Sequence, residues 1–145
     1  GTIYNYYESK ADLLGDTIES IWREIFFNPE DEQVFKDVAA CISWIYKRLE
    51  YGNEQFPGFF SLHSLGFMKD EKMDGKKKML QTWGHILNGL CDILKNDPKI
   101  RPDVFDEQFT EKQFADILFS LILVSMIRQD YNPSSILMLI NKTLY

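Results

Sequence analysis

Apolar residues recur at helical spacing along almost the whole chain, and polar clusters divide them into segments. Leu14, Ile18, Ile21, Trp22, Ile25 and Phe26 lie mostly three or four apart, which predicts an amphipathic helix over about 10–27. Ser9 can cap it, with Asp12 three positions on, and Asn28-Pro29 stops it. Val34, Val38, Ile42, Ile45 and Leu49 form the stripe of a second helix over about 31–51, ended by Gly52-Asn53. Residues 57–68, rich in Phe59, Phe60, Leu62, Leu65 and Phe67, predict a shorter third. Met79, Trp83, Ile86, Leu87, Leu90 and Leu94 mark a long fourth helix that ends at Asn96-Asp97-Pro98. After a loop over 97–109, Thr110 and Gln113 have the spacing of a capping box and open a helix over about 111–129. Asn132-Pro133 then starts a last helix to about 144. No stretch alternates with the period of a strand, so the expected fold is all-α, a bundle of about six helices.

The last two predicted helices differ from the others. Across 114–127 only Asp116, Ser120 and Ser125 are polar, and Ile136, Leu137, Met138, Leu139 and Ile140 follow one another in the final helix. A helix apolar around most of its circumference must be covered on more than one side. Pairing with a second copy solves this, two helices from each chain making a four-helix bundle across a two-fold axis. Phe114, Leu118, Leu121, Ile122, Ser125, Ile136, Leu137 and Ile140 are the interface residues expected on that basis. A hairpin buried within a monomer is the other solution.

Composition narrows the function. Of 145 residues, 45% are hydrophobic and 26% charged, as in ordinary globular proteins. The net charge of −6 argues against a body built to lie on nucleic acid. Cys41 and Cys91 sit within helical apolar patterns and lack CxxC spacing, which reads as free thiols in a reducing, cytoplasmic setting. The longest apolar run, near 118–126, is shorter than the roughly 20 residues that a membrane span needs. His63 and His85 stand far apart in sequence, with no HExxH motif or cysteine cluster, so neither an enzyme nor a metal or other cofactor is expected.

The opening residues carry the most specific signal. Gly1-Thr2-Ile3-Tyr4, then Tyr7, Ser9-Lys10 and the Leu13-Leu14 pair resemble the segment of TetR-family repressors where the recognition helix of the helix-turn-helix ends and the next helix begins. Tyr6 stands where that family often has His, and Tyr7 where Phe is commoner. The resemblance implies that Thr2, Tyr4, Tyr6 and Lys10 contact DNA, through hydroxyl groups and a charge near a helix N-terminus. The family places two helices ahead of this motif. Residues 1–9 are therefore expected to be the end of a DNA-reading unit, and 10–145 a ligand-binding and dimerisation domain. On this expectation operator DNA is a partner of the parent protein and not of the chain alone.

The same resemblance implies a homodimeric, ligand-responsive transcriptional repressor whose central helices enclose a small apolar or amphipathic effector. Trp22, Trp44, Phe60, His63, Met79, Trp83, Leu87 and Phe119 are the candidate lining residues, although an ordinary core needs the same residue types. His63 and His85 are the polar candidates. Gly84 and Gly89 within one predicted helix admit a bend or the close approach of a ligand, or are simply tolerated. Lys76-Lys77-Lys78 reads as a solvated helix start. The alternative function is an all-α small-molecule-binding or interaction protein with no part in transcription.

Overall fold

A computed structural model describes residues 20–26, 35–60 and 73–145. The fold is all-α, with no strand among the described residues. Helix α1 is described over residues 20–26, and α2 runs Val38–Gln55, α3 Met73–Asn96, α4 Glu111–Arg128 and α5 Ser134–Thr143. No described helix is long and apolar enough to cross a membrane.

Local chemistry sets the helix ends. Asp37 caps α2, its Oδ1 accepting from the Ala40 N–H at 2.7 Å, so this helix starts later than the apolar stripe alone predicted. It also runs past Gly52, which lies inside α2 as a site of close approach. A Cβ there would stand 2.8 Å from Ile25 Cδ1 and 2.9 Å from Phe60 Cζ. Gly52 therefore ends nothing; it lets α1 settle onto α2. The capping box of α4 forms as predicted: Thr110 Oγ1 accepts from Gln113 N–H, and Gln113 Oε1 accepts from Thr110 N–H. Helix α4 stops at Gln129, whose φ of 54° is left-handed, with Asp130 N–H turned back to the Ser125 carbonyl. Asn132 Oδ1 accepts from both the N–H and the hydroxyl of Ser134 at the start of α5.

The core collects one face of each helix. Ile25 of α1, Val38, Ile42 and Leu49 of α2, Leu118 and Ala115 of α4, and Ile140 of α5 are fully buried. Leu90 and Leu94 join them from α3. The loop between α3 and α4 is irregular but held. Asp106 Oδ1 accepts from the N–H groups of Gln108 and Phe109, while Phe105, Phe109 and Phe114 pack as a trio of rings about 6 Å apart.

One buried carboxylate ties three parts of the chain together. Asp97, just after α3, accepts from Val38 N–H at the start of α2, from Lys99 N–H, and from the Tyr145 hydroxyl at 2.8 Å. Beside it, Lys99 donates to Asp37 Oδ2 at 2.6 Å. Arg101 completes the clasp, its N–H on the Leu144 carbonyl and its guanidinium on that of Thr143, where a cation suits the end of α5.

Two outcomes follow from this clasp. Asp97→Ala leaves the Val38 N–H and the Tyr145 hydroxyl without their acceptor, and urea unfolding should show a loss of about 2–4 kcal/mol. The second concerns acid. Lys99 and the Ala40 N–H hold the Asp37 carboxyl below its ordinary value of 3.8. Its folded pKa is depressed, so its contribution is complete above about pH 5 and is lost as the pH falls through 3.8 and below. Lys99 is 62% exposed, which keeps that contribution under about 1 kcal/mol. Asp37→Asn retains a good cap and should flatten this part of the stability profile between pH 5 and 3.

Candidate functional site

A hollow opens where α1, the lead-in to α2, α2 itself and α3 meet. Its volume is about 150 Å³. Three aromatic rings make one side: Phe26 of α1, Phe35 ahead of α2, and Trp44 of α2. Trp44 lies 5.3 Å from Phe35 and 6.5 Å from Phe26 between ring centroids, tilted near 60° to both. Cys41 and Ile45 of α2 form the floor. Ile86, Leu90 and Ile93 of α3 form the facing wall, and His85 and Gly89 stand at its solvent edge.

The chemistry of this hollow is simple. Its accessible lining is almost wholly apolar, and among the described residues no Asp, Glu, Lys or Arg contributes to it. Burial pushes the Cys41 thiol up to about 12, so it stays protonated and neutral near pH 7. Among the described residues no group of three His, Cys, Asp or Glu side chains is placed to hold a metal ion. The hollow is suited to hold an apolar molecule.

Of the residues expected to line a pocket, Trp44 does so. Trp22 is 1% exposed, with its ring 5.3–5.7 Å from those of Phe26, Phe59 and Phe60. Phe60 is equally buried and also faces Tyr131. Trp83 meets Phe119 edge to face at 5.6 Å across α3 and α4, and Leu87 packs against the core from α3. These five pack against other described side chains and are not among the residues that line this hollow. His63 lies outside the described residues, as do Thr2, Tyr4, Tyr6 and Lys10, while Met79 is on α3 but outside the side chains described. Phe26, Phe35 and Cys41 went unrecognised as lining. Gly89 carried a signal, being a glycine in the middle of a long helix.

A second feature covers α4 and α5. Ile117, Leu121, Val124 and Ile127 of α4, with Met138 and Leu139 of α5, are 37–55% exposed. Five of the eight residues expected at an interface, Phe114, Leu118, Ile122, Ile136 and Ile140, are instead buried in the chain's own core and offer a partner no surface. Leu137 is partly buried against that core. Leu121 and Ser125 lie beside an open hollow of about 490 Å³ that also touches Val124, Arg128, Asp130 and Leu139. Ser125 donates to the Leu121 carbonyl, leaving Tyr46 to donate to Ser125 at 2.6 Å. Burial raises the Tyr46 hydroxyl above its ordinary value.

No family model, curated protein or solved structure matches this chain.

The two cysteines test the floor of the first hollow. Cys91 is half-buried and Cys41 buried. With iodoacetamide at pH 8, followed by mass spectrometry, Cys91 should react first. Cys41 should react at least about 100-fold more slowly than in urea, since the thiolate is the reactive form. Equal rates at the two sites would mean that Cys41 is open to solvent.

Proposed function

We propose that this chain is the effector-sensing and dimerising part of a ligand-responsive transcriptional repressor of the TetR type. The observation that carries the reading is the row of solvent-facing apolar side chains on α4 and α5, in a chain whose first fourteen residues resemble the end of that family's DNA-reading motif. The all-α body and the apolar hollow beside α1 support it. Operator DNA is contacted by a complete helix-turn-helix, of which residues 1–9 carry the last part.

Pairing through Ile117, Leu121, Val124 and Met138 forms the four-helix bundle of a homodimer. Two reading heads must stand about 34–36 Å apart to enter successive major grooves. The predicted helix over 10–27, which includes α1, joins head to body and sets that spacing. An effector that favours a different pose of α1 releases the DNA, a coupling that typically amounts to about 1–3 kcal/mol.

Helix α1 is held for this role by two contacts. Arg48 of α2 donates from Nε to the Ile25 carbonyl at 2.5 Å and from Nη2 to the Glu24 carbonyl at 2.8 Å. Its guanidinium lies 4.4 Å from the centre of the Tyr51 ring, and Tyr51 donates to Glu24 Oε1. These contacts tie α1 to α2 at Glu24 and Ile25.

A second reading, favoured by the hollow alone, is an all-α ligand-binding protein with no role in transcription. Sequence encoded ahead of Gly1 tells the two apart, because a basic helix-turn-helix there supports only the first.

Sedimentation equilibrium of the purified chain should give twice its mass of 17.1 kDa. Val124→Glu places a charge on an exposed position, so circular dichroism should be unchanged while the dimer dissociation constant rises at least about 100-fold. A native chain that sediments as a monomer at micromolar concentration would sink the pairing.

A further inference from the structure

We infer that the hollow between α1, α2 and α3 takes a small uncharged aromatic molecule of about one ring, and that Gly89 is the opening that admits it. The inference rests on the sensing role proposed above and names the class of effector. Four features of the site point to it.

The first is charge. Among the described residues no ionised side chain lines the hollow, and the Cys41 thiol on its floor is a neutral group. A carboxylate or ammonium moved there would lose its hydration without gaining a partner. The second is size. At about 150 Å³ the hollow matches dry cavities lined by aliphatic and aromatic side chains that accept benzene. A multi-ring drug or a long acyl chain does not fit that volume.

The third is the shape of the walls. Phe26, Phe35 and Trp44 come from three different segments and are mutually tilted, offering both ring faces and ring edges to a guest. Aromatic groups pack best in such offset and edge-on arrangements. Leu90 on the facing side supplies an aliphatic surface.

The fourth is Gly89 itself. A glycine in a helix interior weakens the helix relative to alanine. Close packing among the described residues does not require it here, because a Cβ at Gly89 would have none of their atoms within 4 Å. Contrast Gly52, where the neighbours leave no room. The space in front of Gly89 is the mouth of the hollow, and a side chain would narrow it. Phe26 belongs to α1, so the guest touches the helix that links body to reading head.

Fluorobenzene and 4-fluorobenzoate, followed by ligand-observed ¹⁹F NMR with the purified chain, test the inference. Fluorobenzene should bind the native chain saturably, and 4-fluorobenzoate at least about tenfold more weakly, as an unpaired charge demands. Gly89→Leu should weaken fluorobenzene at least about tenfold while leaving the Tm unchanged or higher, because it replaces glycine by a better helix former. Gly89→Ala should lie between the two. Equal affinity of native and Gly89→Leu chains places the guest elsewhere and overturns the inference, as does benzoate binding as tightly as fluorobenzene. Absence of binding to the native chain overturns it too. Failure of the sensing role looks different: fluorobenzene binds as expected, yet does not release operator DNA from the protein that carries the complete helix-turn-helix.

Discussion

Helix α4 has more apolar surface than the described core covers, and its buried face is where the other helices gather. Phe114, Ala115, Leu118, Phe119, Ile122 and Met126 are buried, a set spaced one, three or four apart that traces a single face. Helix α3 packs along this face, Trp83 meeting Phe119, and Leu49 of α2, Leu90 of α3 and Ile140 of α5 are buried in the same core. Ile117, Leu121 and Val124 occupy the opposite face and stay near 40% exposed. Removing them from water would add to stability at roughly 25 cal/mol per Å², so a second copy has a physical reason to pair there. Helix α5 repeats the division, with Ile136 and Ile140 inward and Met138 and Leu139 outward.

This two-sided apolar pattern also explains why the interface residues were hard to choose from sequence. A helix with one apolar stripe declares its buried face, whereas α4 has apolar groups at nearly every angle and declares none. Its rotation about its own axis is decided by the helices packed on it, above all α3, whose residues lie outside its own segment. The existence and ends of the helix were much easier. Thr110 and Gln113 satisfy each other's backbone N–H within four residues, and a bond that local is written in the order of residues. Asn132 at the start of α5 is legible for the same reason. Gly52 shows the limit of local rules. Read as a helix stop, it is instead a contact point whose cause, Ile25 and Phe60, lies outside its own segment.

The hollow was legible in part. That large aromatic residues would gather was plain from composition, and Trp44 was among the candidates. Which ring faces a cavity and which fills the core is decided only once the helices are placed, since Trp22 and Phe26 lie four residues apart on one helix and yet have different surroundings. Trp22 is enclosed by Phe59 and Phe60, while Phe26 reaches the opening. Gly89 gave the clearer hint, because a residue unfavourable to its own helix asks for a reason elsewhere.

Helix α1 is where these separate constraints meet. Ile25 rests in the space that Gly52 leaves on α2, and its carbonyl is bound by Arg48. Phe26, the next residue, forms part of the wall of the hollow. Adjacent residues thus face the fixed contact and the adaptable one. On the sensing role proposed above, a guest pressing on Phe26 would disturb the Ile25 contact if α1 slid along α2, which leaves a tilt about Gly52 as the response. Close packing at one residue and free volume at its neighbour are what a pivot requires, and the two glycines, Gly52 on α2 and Gly89 on α3, provide one of each.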